Sequence, residues 1–347
     1  MAGERDLEAR LDEWARGGAP RAREVAAAVA ALATACVEIA GLIARGGTEE
    51  TLSLTTGRRS GVDEQKRLDV LANDVIVAAL ARVPVAAVAS EELEAPLALD
   101  TTAPLLAAVD PIDGSSNIEA NVSIGTIFSL LPACVGGGLD AGFRQPGTAQ
   151  VAAGFAVYGP QTTLALTLGA GTDLYALDPA TRRFLLTRSG VQIPPSTREY
   201  AINTSNYRHW DTVVRTYVND CMLGEAGPRG EDFNMRWTAS PVADVFRILA
   251  RGGVFLYPGD LRDGYGHGRL RLLYEASPIA FVVEQAGGAA STGERRILDL
   301  VPQALHERVP VVIGSRAEVA YVERLYREPN LRERSPLFGR RGLLREW

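Results

Sequence analysis

Val109-Asp110-Pro111-Ile112-Asp113-Gly114-Ser115-Ser116-Asn117 follows the apolar run Leu105-Leu106-Ala107-Ala108, which predicts a buried strand. Pro111 has no N–H to give to a ladder, so the strand is expected to stop there and the two aspartates to sit in a tight loop. Hard cations such as Mg²⁺ need carboxylate oxygens. The small residues that follow offer backbone amides at a turn, which suit an anion. A cation site and a phosphate site in one loop is the layout that metal-dependent phosphate chemistry requires. A Pro-Asx turn capped by serines is the plain alternative.

The rest of the chain bounds this reading. It has 347 residues, 46% hydrophobic and 22% charged, a globular balance long enough for two domains. The net charge of −6 and the lack of a Lys/Arg block argue against nucleic acid as a partner. The start, MAGERDLEAR, shows no secretory pattern. Val25 to Ala44 is nearly uncharged, but Val25, Val29, Leu32, Cys36, Ile39 and Ile43 recur every three or four residues. That spacing predicts a core-packing amphipathic helix rather than a membrane span. Cys36, Cys134 and Cys221 form no C-x-x-C pattern, which fits a reducing cytoplasm. The three histidines, His209, His267 and His306, are too scattered for a three-His metal centre, which leaves acid–base work to carboxylates.

Helices are expected over residues 1 to about 45, Asp63–Leu80, Thr212–Met222, Val242–Ala250 and Ser277–Ala286, the last ending at Gly287-Gly288. Thr51–Gly61 reads as a mobile loop. Strands are expected at Val85–Ala89, Leu105–Val109, Thr126–Leu131, Val151–Val157, Thr162–Leu168, Asp173–Leu177, Gly253–Tyr257, Leu270–Tyr274 and Val309–Gly314. Tyr158-Gly159-Pro160-Gln161 predicts a hairpin turn, and Gln192–Thr197 is the best linker, dividing the chain into units 1–194 and 195–347. Helices and strands mix in both halves, so the fold class is α+β or layered α/β.

Further acids fall at predicted strand ends: Glu91 and Glu92 after Val85–Ala89, and Glu275 after Leu270–Tyr274. Taken singly, Glu91-Glu92 reads as a solvated turn and Glu275 as an acid at a helix start, while Asp69 and Asp74 read as surface residues. In layered α/β folds, however, the carboxyl ends of strands supply the site. If Glu91, Asp110 and Glu275 converge there, such closely spaced like charges need cations, or a proton, to be tolerable.

These motifs carry a resemblance. The chain resembles class I fructose-1,6-bisphosphatases from about residue 20 to about residue 330. The resemblance rests on Ser90-Glu91-Glu92, on Asp110 to Asn117, on Val242-Ala243-Asp244, on Phe255-Leu256-Tyr257-Pro258 and on Arg296-Ile297-Leu298-Asp299. Above all it rests on Gly268-Arg269-Leu270-Arg271-Leu272-Leu273-Tyr274-Glu275 with Pro278 and Glu284-Gln285-Ala286-Gly287-Gly288. The first two motifs are shared more loosely with inositol monophosphatases.

The resemblance implies a layered sandwich of alternating helix and sheet layers, the sugar-phosphatase fold. It implies a cytoplasmic homotetramer that hydrolyses the 1-phosphate of a sugar bisphosphate with Mg²⁺, two or three per subunit, or Mn²⁺ in its place. Glu91, Asp110, Asp113, Glu275 and the Ile112 carbonyl would hold the metals. Glu92 and Asp69 would take a proton from the attacking water, and Asp63 would close over the site. Gly114, Ser115, Ser116 and Arg271 would hold the 1-phosphate. Asn203 or Asn206, Tyr207, Tyr257 and Arg236 of a neighbouring subunit would bind the 6-phosphate. Arg269 stands where the family has a sugar-contacting lysine, Trp237 where it has a tyrosine, and Arg58-Arg59 where its loop has small polar residues. Sedoheptulose 1,7-bisphosphate and inositol phosphates are the alternative substrates, and a sugar-phosphate sensor without turnover is the non-enzyme alternative. Pro104-Leu105 replaces a Lys-Tyr pair that the family uses for AMP, which implies insensitivity to AMP; the scarcity of cysteine implies insensitivity to dithiol reduction.

Overall fold

In the computed structural model, described over residues 6–45, 61–134 and 138–328, with side chains from residue 67 in the second segment, helix and sheet layers alternate. The larger sheet has eight strands: β1 (Val85–Ser90), β2 (Leu97–Ala98), β3 (Leu105–Asp113), β4 (Ile124–Pro132), β5 (Ala152–Tyr158), β6 (Thr162–Thr167), β7 (Thr172–Asp178) and β8 (Arg183–Arg188). Their order is β2-β1-β3-β4-β5-β6-β7-β8. Only β1 and β3 run parallel; from β3 to β8 the sheet is an antiparallel meander.

Strand alternation assigns the two faces of this sheet to different neighbours. Phe128, Leu130, Ala156 and Tyr158 face the helices Leu7–Arg16, Ala22–Arg45 and Gly61–Leu80, where Val25, Val29, Leu32, Cys36 and Ile39 are buried. The helix Ala22–Arg45 is long and apolar enough to cross a membrane by length and composition, but its large side chains are spent on this core. Ile127, Ala153, Phe155 and Val157 face a middle layer made by the helices Pro241–Arg251 and Ser277–Gln285.

The second sheet closes that layer from the other side. It comprises β9 (Glu199–Ala201), β10 (Asn234–Met235), β11 (Val254–Tyr257), β13 (Ala289–Ser291) and β15 (Val311–Gly314), in the order β10-β9-β11-β15-β13; β12 (Leu270–Arg271) and β14 (Arg308–Val309) pair separately. Phe255, Val311 and Ile313 point to the middle layer, while Val254, Leu256 and Val312 pack under the helices Thr212–Met222 and Arg316–Arg327.

Three expectations change here. Pro111 does not stop β3, which continues to Asp113. The parallel partner β1 ends at Ser90 opposite Val109, so the missing N–H of Pro111 meets no acceptor on that side. On the other side the register shifts between Asp110 (opposite Ile127) and Asp113 (opposite Gly125), a bulge that accommodates the proline. The Pro111 carbonyl accepts the Thr126 hydroxyl at 2.7 Å.

Secondly, Leu270–Tyr274 is a strand only as far as Arg271. Its partner offers Arg308 and Val309 alone, so the ladder ends, and Leu272–Ala276 forms a π-helical turn leading into Ser277–Gln285. Thirdly, Val309–Gly314 is broken at Pro310, and its halves pair with different sheets. The loop Thr51–Gly61 with Arg58-Arg59 lies outside the residues whose side chains are described.

The middle helix is held close to the sheet at Gly125. A Cβ there would strike the Ala156 carbonyl oxygen and lie 2.6 Å from Val242 Cγ2. Gly125→Ala should therefore destabilise the protein by about 1–3 kcal/mol, the usual cost of overpacking. Equilibrium urea unfolding measures this, and an unchanged midpoint would show that the two layers can separate freely.

Candidate active site

The bulge at Pro111 rotates the end of β3 so that Asp110 and Asp113 face one place. Asp110 Oδ1 accepts the Ile112 N–H at 3.1 Å, and Asp113 Oδ2 accepts the Val242 N–H at 3.0 Å, at the N-terminus of the helix Pro241–Arg251. The π-helical turn adds Glu275, whose Oε2 accepts the Arg271 N–H at 2.6 Å. One carboxylate oxygen each from Asp110, Asp113 and Glu275 lie within 4.8 Å of one another, and all three residues are buried.

Beside this cluster, β1 delivers the turn Ser90–Leu93. Its backbone is fixed by Glu91 N–H to the Val109 carbonyl (3.0 Å) and Leu93 N–H to the Ser90 carbonyl (3.1 Å), with Glu92 N–H on Ser90 Oγ (3.3 Å). The Glu91 carboxylate pairs with the Arg271 guanidinium. Asp69, expected at the surface, is buried on the helix Gly61–Leu80, whereas Asp74 is exposed. The side chain of Asp63 lies outside the described residues.

Burial and mutual repulsion disfavour ionisation throughout this group. Burial, then Glu91, Glu275 and Asp113, hold the Asp110 pKa well above the carboxylate range. Burial also dominates at Asp113, which rises to about 7 despite the opposing Val242 N–H, and at Glu275, which rises well above its ordinary value. Asp69 is pushed up to about 7 by burial and then by Glu92 and Glu91. Glu92 is raised by burial and Glu91, against Arg271 and His306. Among the described residues, one buried oxygen of Asp69 has no hydrogen-bond partner. A buried, all-oxygen, anionic donor set with one neighbouring guanidinium fits a hard divalent cation.

A turn whose backbone amides suit an anion adjoins it. Gly114 adopts φ +76°, the left-handed turn that starts the short 3₁₀ segment Ser115–Asn117. Asn117 Nδ2 donates to the Ala239 carbonyl at 2.7 Å, tying this turn to the segment before Ser240, whose Oγ caps the helix Pro241–Arg251. Arg271 ends the two-residue strand β12, and Arg269 lies in the bend just before it. Arg271 reaches Glu91; Arg269 lines a separate pocket with Asn203, Asn206, Tyr257 and Asp260.

Of the other expected substrate residues, Tyr207 borders that pocket through Trp210 and Arg236 lies apart from it. The Tyr207 hydroxyl donates to Asn219 Oδ1 at 3.0 Å, and its ring meets Trp210 edge-on. Arg236 is half exposed, 3.9 Å from Glu199, in a shallow depression with Arg247 and Asp244. Trp237 stacks on Phe255 (5.7 Å) and meets Tyr257 edge-on (5.9 Å), so it shapes the wall behind Tyr257.

Two features escaped the residue patterns. His306 bonds the Leu93 carbonyl at 3.0 Å and lies 5.3 Å from the Tyr274 ring, between the two glutamate-bearing turns. The loop Pro258–Gly268 places Asp260, Arg262 and Tyr265 against the Asn206 pocket. Long sequence separation hid the first. The second was visible only as Asp-x-Arg in a glycine-rich stretch.

With this geometry in view, comparison with known proteins is decisive. The model of the fructose-1-6-bisphosphatase N-terminal domain matches residues 16–189, and that of the C-terminal domain matches residues 193–327. The chain belongs to the class 1 fructose-1,6-bisphosphatase family. It is 53% identical to a family member from Nitrobacter hamburgensis over 99% of this chain and 100% of that one. It is 55% identical to one from Azorhizobium caulinodans over 92% and 98%. A Leishmania major fructose-1,6-bisphosphatase crystallised in the T-state superposes with a TM-score of 0.82 at 33% identity, covering 93% of this chain and 99% of that chain. The holo form of the same enzyme gives 0.80 at 34%, covering 88% and 94%. The family is one of phosphoric monoester hydrolases with the layered fold seen here.

The raised carboxyl pKa values carry a sign. Asp69 and Asp113 titrate near 7 when folded and near about 4 when unfolded. Between these values the folded form binds more protons, so stability falls as pH rises through that window and stays low above it. Chelator-treated protein should thus melt at a lower temperature at pH 8 than at pH 5.5, and Mg²⁺ at pH 8 should raise the midpoint with concentration. Melting curves independent of both pH and Mg²⁺ would remove these carboxylates from a cation site.

Proposed function

We propose that this chain hydrolyses the 1-phosphate of fructose 1,6-bisphosphate to fructose 6-phosphate and inorganic phosphate with Mg²⁺. The observation that carries this is the cluster of Asp110, Asp113 and Glu275 beside the Gly114 turn and Arg271, with a second polar pocket two residues away along the Arg269–Arg271 segment. Glu91, Asp110, Asp113, Glu275 and the Ile112 carbonyl would hold two or three cations. Bound there, Mg²⁺ supplies Lewis acidity to water and phosphate and neutralises charge on the leaving oxygen.

The protein's own groups do the rest. Asp69 and Glu92 accept the proton of the attacking water; a carboxylate titrating near neutrality suits that task. The guanidinium of Arg271 and the amides of Gly114, Ser115 and Ser116 stabilise charge on the equatorial phosphoryl oxygens. Asp63 closes over the site. Arg269 contacts the sugar, and Asn203, Asn206, Tyr207 and Tyr257 bind the 6-phosphate. Residues before 194 thus supply most of the metal site, and those after it the sugar pocket. We further infer a cytoplasmic homotetramer acting in sugar-phosphate metabolism, gluconeogenic or Calvin-cycle, with Arg236 reaching the 6-phosphate of a neighbouring subunit. Its half-exposed guanidinium, away from the Asn206 pocket of its own chain, supports that reading.

Phosphate release should be fastest from fructose 1,6-bisphosphate in a panel with sedoheptulose 1,7-bisphosphate and inositol phosphate. Asp113→Asn should lower kcat by at least ~10²-fold, the scale of losing a group that stabilises the transition state. Preference for another ester would change the substrate, and near-normal turnover of Asp113→Asn would dismiss the metal site.

Arg236→Ala should raise KM far more than it lowers kcat, because a guanidinium on a remote phosphate contributes binding. Mixed oligomers of Arg236→Ala and Asp113→Asn subunits should regain activity. No recovery in proven hetero-oligomers would mean that each site is built from one chain.

A further inference from the structure

The pocket assigned above to the 6-phosphate contains an acid, Asp260, which is a poor neighbour for an anion. Its surroundings account for it. Arg262 Nε lies 3.0 and 3.1 Å from the two Asp260 carboxylate oxygens, and Nη2 completes the pair. The same Nη2 donates to Asn206 Oδ1 at 3.2 Å. The Tyr265 ring lies against both cations, its centroid 4.5 Å from the Arg262 guanidinium and 4.8 Å from that of Arg269. The backbone holds this arrangement: Asp260 N–H donates to the Tyr265 carbonyl, Tyr265 N–H to that of Arg262, and Gly268 N–H to that of Tyr265, all at 3.0–3.1 Å.

A primary amide has one acceptor oxygen and two N–H donors. With its oxygen engaged by Arg262, Asn206 turns its donors away from that cation. Asn203 is set in the same sense, because its Oδ1 accepts Ser205 N–H at 3.2 Å and Ser205 Oγ at 2.6 Å. Among the described residues neither amide nitrogen has a protein partner, and both residues line the pocket with Tyr257 and Arg269. Two oriented amides and a guanidinium form a set of donors, and the carboxylate in the lining is already paired with Arg262, which favours an anion over a hydroxyl.

The geometry points to Arg262, held by Asp260 and stacked on Tyr265, as a positioning residue that fixes the Asn206 amide as a donor and so sets the preference for a substrate with a second, terminal phosphate. This rests on the reading of the reaction given above. Arg262 acts through Asn206 and does not itself touch the substrate.

The test compares fructose 1,6-bisphosphate with fructose 1-phosphate, which lacks the terminal group. Arg262→Met keeps the stem against Tyr265 and removes the fork. It should raise KM for the bisphosphate with little change in kcat and lower the ratio of kcat/KM for bisphosphate over monophosphate about tenfold, the factor carried by one hydrogen bond to a charged group. Asp260→Asn separates positioning from simple electrostatics. Removing a negative charge should tighten anion binding if charge alone matters, but should weaken it if Asp260 serves to hold Arg262. The double variant Arg262→Met/Asn206→Ala should lose no more selectivity than Asn206→Ala alone. Equal losses on both substrates, a gain in Asp260→Asn, or additive losses in the double variant would each overturn the proposal. Calorimetric titration with fructose 6-phosphate needs no turnover. Wild-type protein that binds it but does not hydrolyse the bisphosphate would refute the reaction alone, with Arg262→Met still expected to weaken binding about tenfold; wild-type protein that does not bind it would overturn the role of Arg262.

Discussion

The crowding of buried carboxylates at the end of β3 is the constraint to which the rest of the molecule answers. Asp110, Asp113 and Glu275 bring oxygens within 4.8 Å of one another, and Glu91 stands beside them with one guanidinium for company. The three clustered acids are buried, so their repulsion is weakly screened. The carboxyls either hold protons or meet cations. A folded chain that keeps such a cluster has to clamp each acid from behind, and each clamp is visible: Val242 N–H on Asp113, Ile112 N–H on Asp110, and Arg271 N–H on Glu275. These bonds come from a helix N-terminus, a bulge and a turn, three irregular backbone features that converge on one cluster.

The layered architecture makes that convergence rigid. The middle helices are packed between two sheets, so the Val242 N–H that holds Asp113 cannot drift without disturbing Ile127, Phe155 and Phe255. Gly125 allows the helix to approach the sheet directly behind the aspartates. Catalytic groups on such supports stay within the narrow tolerances that phosphoryl transfer demands. The pocket proposed for the sugar end is made differently. It lies on loops, and its order comes from side-chain bonds such as Arg262 to Asp260 and Ser205 to Asn203. This division suits a site in which the chemistry is constant and the substrate end is the variable part.

Much of this was legible from the chain alone. The periodicity of Val25, Val29, Leu32, Cys36 and Ile39 identified a core helix that hydropathy by itself would have sent to a membrane. The turn Tyr158-Gly159-Pro160-Gln161 between two apolar runs identified a hairpin, and the Asp110–Asn117 segment marked the candidate site and, with the later motifs, the family. Such features are local: side-chain spacing, turn chemistry and the valence of a carboxylate are properties of a few consecutive residues. The sequence therefore determined most element types, the carboxylate chemistry of the β3 loop and the class of reaction.

What only the tertiary structure decided depends on partners far away in the chain. Pro111 stays in its strand because β1 ends opposite Val109 and β4 absorbs the bulge, which no local rule about proline contains. Leu270–Tyr274 turns into a helical coil because its partner strand is two residues long. Asp69 is buried by the packing of its helix on the sheet, and the orientation of the Asn206 amide is set by an arginine fifty-six residues later. In each case the deciding energy is a hydrogen bond or a buried charge whose second member is supplied by the fold, and a linear pattern carries no record of which distant group will be there to accept it.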